Sequence, residues 1–305
     1  MIDWFIIPDL ENFKRVVVLG PGLLGGSILH AIHHHFQSGQ KPNSLGVWAR
    51  RQEPIDCLLE QGIVRHGSTS VSELFSDPET APDFVILATP IGFMPELARQ
   101  IADAATTPVI VTDVGSTKAN LVATLDSVFE SNVHIQFVGS HPMAGSEKTG
   151  LDHASADLFE NAVCILTPTA KTDASSLEKV DIFWRSLGGK THHLSPEDHD
   201  EVVGKISHLP HISAAALSLA GMKETATGTL PAEFSAGGFR DSTRIAAGHV
   251  EMWTEILLEN RQTISESLRD LICRLESVHA SLENNDDSSL RSFLAEAKEK
   301  RDTLK

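Results

Sequence analysis

Three glycines near the start of the chain have the spacing of a phosphate-binding turn. Gly20, Gly22 and Gly25 form a G-x-G-x-x-G motif between a β-branched apolar run and a helical pattern at 27–36. The first glycine permits a tight bend, the second lets a pyrophosphate approach the backbone, and the third lets the helix lie close to the strand. The helix N-terminus adds unpaired N–H groups and a partial positive charge. This setting predicts a dinucleotide site, whereas a plain glycine-rich turn explains neither the spacing nor the additional Gly26.

Two arginines after the second predicted strand bear on which dinucleotide is bound. Arg50 and Arg51 follow the pattern SLGVWA, where a dinucleotide fold places the residue that contacts the adenosine ribose. An acid there accepts a hydrogen bond from the 2′-hydroxyl of NAD, whereas an arginine accommodates the 2′-phosphate of NADP. No acid is present, so NADP is favoured; the alternative is a solvated arginine pair with NAD held through backbone groups. We assign further residues to the cofactor site, namely Leu23, Leu24, Thr89 and Pro90.

Several other polar segments carry side chains that can bind anions or transfer protons. The segments DVGSTK at 113–118 and SHPMAG at 140–145 each follow a predicted strand. Ligands of an open α/β sheet bind at the carboxyl ends of its strands, so these segments should meet. The later part of the chain adds SHLPH at 207–211 and a segment with two arginines. Arg240 and Arg244 are four residues apart and would share a face if their stretch is helical.

The elements that must position these segments alternate between strand and helix as far as residue 194. This alternation predicts an α/β fold, with a Rossmann-type, doubly wound and mostly parallel sheet. Helical patterns separate most of the strands. The strand patterns occur at 16–19, 44–49, 83–88, 109–112, 135–139, 162–166 and 190–194.

The pattern changes at Ser195. The sequence SPED that begins there combines an N-cap serine, a proline at N1 and an acid at N3, which marks the start of a helix. No strand pattern returns after it, and Pro210 should kink the first helical stretch because its ring clashes with the carbonyl of Ile206. We therefore predict a dinucleotide-binding domain at 1–194 and an all-α domain at 195–305, with helical periodicity at 198–219, 245–283 and 288–300.

Composition and charge argue against several classes of partner. The 305 residues carry a formal net charge of −16, which disfavours nucleic acid and anionic membranes, since proteins meet those with basic patches. No apolar run reaches the ~20 residues that span a bilayer. The three cysteines are far apart and lack C-x-x-C spacing, which is typical of reduced thiols in the cytoplasm. The histidines at 30 and 33–35 have no carboxylate or cysteine partner in their helix, so we expect no metal site.

Taken in order, the motifs resemble those of one enzyme family. The segments GPGLLGGS, TPI, TDVGSTK, GSHPMAGSEKTG, SHLPH and GGFRDSTRIA are similar to the prephenate/arogenate dehydrogenase family of tyrosine biosynthesis, over residues 14–260. The resemblance implies a Rossmann domain followed by a helical dimerisation domain that forms a homodimer. The implied reaction is the NAD(P)-dependent oxidative decarboxylation of prephenate to 4-hydroxyphenylpyruvate, or of arogenate to tyrosine.

One candidate side chain fits the proton transfer that this reaction needs. A hydride leaves the ring carbon that bears the hydroxyl, so the hydroxyl proton requires an acceptor. His141 is the natural choice, because an unperturbed imidazole has its pKa near working pH. Ser116 could orient the hydroxyl or the imidazole by hydrogen bonding. We expect His141 and Ser116 to be the catalytic residues.

The two carboxylates of prephenate require local cations in a protein that is net acidic. A guanidinium holds a carboxylate with two parallel bonds, which suits Arg244 for the ring carboxylate. The family match implies that His208 and His211 border the substrate, with His211 a candidate for the side-chain carboxylate. Lys118 and Arg240 add positive charge to the predicted site. The alternatives are that His208 caps a helix or lies in the core, and that Arg240 pairs with a neighbouring acid at the surface.

Three other functions stay open. Arogenate carries an ammonium where prephenate has a keto group, so an acid near the side chain would favour it; Glu147 fits that role, whereas His211 favours prephenate. A β-hydroxyacid dehydrogenase shares the Rossmann-plus-helices plan but needs a catalytic lysine, for which Lys205 or Lys223 would have to serve. A non-catalytic NADP sensor would bind the cofactor without turnover. We expect prephenate to be the substrate.

Overall fold

The computed structural model describes residues 13–36, 44–77, 80–145 and 148–304. Eight strands of this part of the chain form one sheet in the order β3-β2-β1-β4-β5-β6-β7-β8. Every neighbouring pair is parallel except β6 and β7, which are antiparallel. The strands are β1 (Arg15–Leu19), β2 (Ser44–Trp48), β3 (His66–Ser68), β4 (Phe84–Leu87), β5 (Val109–Asp113), β6 (Ile135–Pro142), β7 (Val163–Thr167) and β8 (Lys190–His193).

The side chains of β1 show that both faces of the sheet are covered. Successive side chains of a strand point to opposite faces. Val16 and Val18 belong to one apolar cluster, whereas Val17 and Leu19 belong to another. Such double burial is typical of parallel sheets and confirms the predicted doubly wound fold. The covering helices are α1 (Leu23–Phe36), α2 (Gln52–Glu60) and α6 (Ala174–Ser186) on one face, and α3 (Val71–Leu74), α4 (Met94–Ala104) and α5 (Ala119–Phe129) on the other.

Two element boundaries differ from the sequence prediction, and both affect the candidate site. Helix α1 begins at Leu23 rather than Ser27, because the glycine motif itself forms the first turn. Strand β6 does not end at residue 139 but continues to Pro142, because its last four residues pair antiparallel with β7. His141 therefore lies on a strand, opposite Ile165, and not in a loop. The strand β3 was not predicted, since three residues are too few to show a period.

The helical part begins as predicted, with Ser195 accepting a hydrogen bond from the Asp198 N–H at 3.0 Å. The sequence predicts a kink near Pro210; the structure has a π-helical segment, Gly204–His208, between α7 and α8. Pro210 lies in the first turn of α8, where its missing N–H is tolerated. The helices are α7 (Pro196–Val203), α8 (Leu209–Gly221), α9 (Gly237–Thr243), α10 (Val250–Glu259), α11 (Arg261–Glu283) and α12 (Asp287–Asp302).

The long helical stretch predicted at 245–283 is interrupted in the structure. Its first residues belong to a 3₁₀ turn, Arg244–Ala247, and Asn260 separates α10 from α11. Asn260 is buried, and its side-chain amide donates to the carbonyl of Asp200 at 2.8 Å. The interruption thus brings a polar side chain into contact with α7. Among the described residues, no helix combines the length and apolar character needed to cross a membrane.

Candidate active site

The glycine turn has the geometry that a pyrophosphate requires. Gly20 has a φ of +103°, which L side chains rarely adopt, and its N–H donates to the Trp48 carbonyl at 2.9 Å. A Cβ on Gly25 would lie 2.1 Å from the Gly20 carbonyl oxygen, so only glycine allows α1 to lie this close. A Cβ on Gly22 would meet nothing within 4 Å, which leaves open space beside the backbone. The turn therefore fits a dinucleotide pyrophosphate at the N-terminus of α1.

The additional glycine, Gly26, is explained by a segment that follows β6. A Cβ on Gly26 would lie 2.7 Å from Leu151 Cδ1. The adjacent Ser27 hydroxyl accepts a hydrogen bond from the Ser155 N–H at 2.9 Å. The segment that carries both contacts therefore lies directly on the first turns of α1, and no side chain larger than hydrogen fits between them.

The residues predicted to contact the cofactor lie after β2 and β4. Arg50 and Arg51 are exposed, and the Arg50 guanidinium lies 4.9 Å from the centre of the Phe93 ring. Pro90 is exposed as well. Thr89 Oγ1 is buried and has no hydrogen-bond partner within the described ranges. A buried hydroxyl without a partner is costly, so this position fits a hydroxyl that bonds to a bound molecule.

Three side chains from both parts of the chain form a buried, hydrogen-bonded series. Nδ1 of His141 lies 2.8 Å from Nε2 of His199, and Nδ1 of His199 lies 2.8 Å from Oδ1 of Asp200. His141 is on β6, whereas the other two are on α7. His199 has no exposed surface, but His141 retains 8%, so His141 is the end that a substrate can reach. The described residues contain no cluster of side chains placed to hold a metal ion.

Burial and neighbouring charges keep both imidazoles neutral at pH 7. Burial, followed by His199 and the Lys118 charge, holds the pKa of His141 well below its usual value. Burial also lowers the pKa of His199, although the hydrogen bond with Asp200 opposes this. Burial raises the pKa of Asp200, but hydrogen bonds from His199 and two backbone N–H groups outweigh it, so the net pKa is lowered. Asp200 is therefore ionised, and His141 is in the form that can accept a proton.

Lys118 lies in a buried ion pair. Its Nζ lies 2.5 Å from Oδ2 of Asp113, and both side chains are fully buried. Asp113 also accepts hydrogen bonds from the N–H groups of Gly115 at 2.8 Å and Ser140 at 3.0 Å. The Lys118 ammonium has no exposed surface and is paired with a carboxylate, so a contact between Lys118 and the substrate stays a prediction. Its charge acts on the site through the pKa of His141.

The two histidines of the SHLPH segment have different surroundings. His208 is 1% exposed, its Nδ1 lies 3.2 Å from Nδ2 of Asn260, and burial lowers its pKa to about 4. These surroundings fit the alternative of a core histidine, and the contact of His208 with the substrate stays a prediction. His211 stacks on Trp253, with ring centroids 3.5 Å apart. Its Nδ1 is buried without a partner in the described part of the chain, so His211 remains a candidate for a ligand contact.

The other predicted substrate residues lie in loops and turns. Ser116 is half-buried in the loop between β5 and α5. Arg240 is exposed on α9, which ends one residue before Arg244, and Arg244 begins the 3₁₀ turn. The two arginines therefore do not share one helix. That turn packs against α8, which carries His211, so Arg244 and His211 lie on neighbouring elements. Glu147 lies outside the described residues.

Comparison with known proteins identifies the family. Two family models match the chain. The model of the "Prephenate dehydrogenase, nucleotide-binding domain" matches residues 55–193, and that of the "Prephenate dehydrogenase, dimerization domain" matches residues 195–296. The chain belongs to the prephenate dehydrogenase family. One member of that family, the prephenate dehydrogenase of Bacillus subtilis, is 35% identical over 97% of this chain and 77% of its own length.

Solved structures of this family have the same fold. Prephenate dehydrogenase from Aquifex aeolicus, in complex with hydroxyphenyl propionate and NAD+, is 32% identical with a TM-score of 0.85, and covers 96% of this chain and 98% of that one. Arogenate dehydrogenase from Synechocystis is 28% identical with a TM-score of 0.79, covering 95% and 100%. The prediction of a nucleotide-binding α/β domain followed by a helical dimerisation domain is confirmed.

Sequence reasoning missed three residues that contact the predicted ones, namely His199, Asp200 and Asn260. The buried positions of α7 are Pro196, His199, Asp200 and Val203, which form one face of the helix. Two ionisable residues at the core-facing positions of an amphipathic helix are unusual, and this pattern could have been found in the sequence. Nothing in the local pattern around Asn260 indicates that its side chain is buried.

Proposed function

We propose that this protein is an NAD(P)-dependent dehydrogenase that converts prephenate to 4-hydroxyphenylpyruvate and CO₂. The observation that carries the proposal is the position of His141. Its neutral imidazole lies near the carboxyl end of β6. The carboxyl ends of the parallel strands β1–β6 form one edge of the sheet, and the glycine turn lies at the same edge. Family membership supplies the substrate class. A non-catalytic NADP sensor would not need a base at this edge.

The proposed task of His141 is to take the proton of the ring hydroxyl. The bound dinucleotide supplies the hydride acceptor. As the carbon–hydrogen bond breaks, the hydroxyl oxygen becomes a carbonyl oxygen and its proton passes to the imidazole. Loss of the ring carboxylate as CO₂ then makes the ring aromatic and leaves a phenolate oxygen, which takes the proton back from the imidazolium to give the phenolic hydroxyl of the product. The two substrate carboxylates stabilise the protonated imidazole, which offsets the effect of burial on the pKa of His141.

The proposed carboxylate contacts come from the helical part. Arg244 would hold the ring carboxylate through two parallel bonds, with Arg240 adding charge nearby. His211 is the candidate for the side-chain carboxylate, because its ring is fixed by stacking on Trp253 and its Nδ1 is unpaired among the described residues. Ser116 is in a loop at the carboxyl end of β5 and is the candidate for the hydroxyl.

We propose NADP as the preferred cofactor and NAD as the alternative. Arg50 and Arg51 are exposed after β2, where a 2′-phosphate would lie. The Aquifex aeolicus relative was solved with NAD+, which supports NAD as the alternative for this chain. We also propose a cytoplasmic location, in keeping with the free thiols of the three cysteines.

A homodimer is proposed for the helical part, with the domain boundary at 194/195. Helix α11 buries only Ile264 of its residues and leaves Ile272, Leu275 and Leu282 exposed. Leu219 on α8 is 81% exposed. Apolar surface of this kind on several helices is typical of a subunit interface, and residues 195–296 match a dimerization domain. Light scattering coupled to size exclusion should give twice the chain mass.

One assay tests the function. Purified protein is mixed with NADP or NAD and either prephenate or arogenate, and the absorbance of the reduced nicotinamide is followed. We expect turnover with prephenate and a lower KM for NADP than for NAD. Binding of NADP without turnover of either acid would instead support the sensor.

The second candidate activity is the oxidation of arogenate. It is favoured by the likeness to the Synechocystis arogenate dehydrogenase, and it needs an acid near the substrate ammonium. His211 does not supply that acid. Burial lowers its pKa, so its imidazole is uncharged at pH 7. A higher kcat/KM for arogenate than for prephenate would replace the proposed substrate.

A further inference from the structure

The carboxylate of Asp200 joins the two parts of the chain. Its Oδ1 accepts the Lys118 N–H at 2.7 Å, and its Oδ2 accepts the Ala119 N–H at 2.9 Å. These N–H groups lie at the N-terminus of α5, where an acceptor and a negative charge are both stabilising. The same Oδ1 lies 2.8 Å from Nδ1 of His199. One carboxylate from α7 thus caps a helix of the nucleotide-binding part and contacts the imidazole beside His141.

The ionised carboxylate determines where the protons of both imidazoles lie. A carboxylate only accepts hydrogen bonds, so Nδ1 of His199 must carry a proton. A neutral imidazole has one N–H group, which leaves a lone pair on Nε2 of His199. Nδ1 of His141, 2.8 Å away, must then be the donor. By the same rule, Nε2 of His141 carries no proton and is an acceptor.

We propose that His199 and Asp200 are positioning residues that fix His141 in the tautomer whose Nε2 accepts the substrate proton. The opposite tautomer would carry a proton on Nε2 and could not act as a base toward the hydroxyl. When the proton arrives, His141 becomes an imidazolium that still donates from Nδ1 to His199, so no proton has to move on to Asp200. A buried aspartate has the same role toward the histidine of serine proteases.

This inference rests on the proposed function for the substrate, but the tautomer does not depend on it. If the protein has no turnover with prephenate, the proposed function fails, while the proton position on His141 can still be measured in the ligand-free protein. A purely structural role for α7 makes a different prediction. In that case any side chain that fills the space of His199 would serve, whether or not it accepts a hydrogen bond.

Two substitutions at one position separate these roles. His199→Phe fills a similar volume but offers no acceptor to Nδ1 of His141. His199→Gln places a side-chain oxygen near the former Nε2, where it can accept that N–H. Asp198→Asn is the matched control, because Asp198 is exposed on the same helix.

We expect His199→Phe to lower kcat roughly 10²-fold, with the KM values for substrate and cofactor nearly unchanged, because Nε2 of His141 then carries the proton in nearly all molecules. His199→Gln should recover kcat to within roughly tenfold of the parent, because its side-chain oxygen again accepts the hydrogen bond from Nδ1 of His141. The control should match the parent. Equal kcat values for the Phe variant and the parent would overturn the proposal, as would a Gln variant no better than the Phe variant.

The proton position is read directly by nitrogen-15 NMR of the histidine side chains in the whole protein. The parent and His199→Gln should show a protonated Nδ1 and an unprotonated Nε2 for His141, and the Phe variant should lose this pattern. If the Phe variant does not fold, the spectra of the parent and the Gln variant still decide. A parent spectrum with the proton on Nε2 of His141 would refute the inference.

Discussion

Replacing His141 by asparagine removes the proposed base while preserving its buried contact. An asparagine amide nitrogen lies near the position of the imidazole Nδ1 and can donate to Nε2 of His199 as that nitrogen does now, at 2.8 Å. Only the outer half of the ring, with Nε2, is lost. His141→Asn is therefore expected to fold, because the buried Nε2 of His199 keeps a hydrogen-bond donor.

The expected loss follows from the task assigned to Nε2. A positioned general base contributes roughly 10²–10⁴-fold to a rate. At about 1.36 kcal/mol for each factor of ten, this equals about 2.7–5.4 kcal/mol of transition-state stabilisation. Substrate carboxylates are held by other groups in the proposal, so the KM for prephenate should change little. The loss should appear in kcat.

The assay is the initial rate of nicotinamide reduction at saturating NADP with prephenate varied, measured between pH 5 and pH 8. The pH profile of kcat/KM reports the pKa of His141 before prephenate binds. Burial holds the pKa of His141 well below its usual value. The parent should therefore keep its activity down to a pH below the usual imidazole pKa and lose it only as the pH falls through the pKa of His141, where the ring becomes protonated. His141→Asn should lack this acid limb. His134→Asn is the control, because His134 is exposed and directly precedes Ile135, the first residue of β6.

Turnover of His141→Asn equal to that of the parent would refute the role of Nε2 in the rate-limiting proton transfer. An unchanged kcat with a raised KM would refute it as well, because His141 would then be a binding residue. Intact secondary structure by circular dichroism and unchanged cofactor affinity are required for either conclusion.

Three further predictions test other parts of the site. Arg244→Gln should raise the KM for prephenate about 10–100-fold, the size expected when a charge-assisted contact to a carboxylate is lost; steady-state kinetics would contradict this if KM stays constant. Gly25→Ala should abolish cofactor binding or lower Tm, because its Cβ would lie 2.1 Å from the Gly20 carbonyl oxygen; calorimetric titration and thermal melting measure both, and unchanged values of both would refute the close approach. His208 has a pKa of about 4 in the folded chain against 6.5 without burial, so the unfolded chain binds its proton first and the free energy of unfolding should fall by roughly 3 kcal/mol between pH 7 and pH 4. His208→Asn keeps an acceptor for Asn260 and should lose this part of the pH dependence in urea titrations; an identical pH dependence would contradict the burial of a neutral His208.

The strands and the glycine turn could be predicted because their causes are local. Alternate residues of Val16–Leu19 enter opposite apolar clusters, and a run of β-branched residues is enough to indicate such a strand. The helix start at Ser195 is equally local, since the serine side chain bonds within its own first turn. Where the prediction failed, the cause lay farther away. Strand β6 extends to Pro142 because β7, which follows later in the chain, pairs with its end.

The sequence by itself determined the glycine turn that fits a dinucleotide, the alternation of strands and helices, and the presence of His141, because these depend on residue types and short spacings. Only the tertiary structure decided what surrounds His141. His199 contacts it from a helix 58 positions later, and the neighbouring Asp200 caps α5 and so joins both parts of the chain. The pairing of Lys118 with Asp113 and the burial of His208 were decided in the same way. A side chain's burial and hydrogen-bond partners set its charge and its proton positions, and residues distant in the sequence supply both.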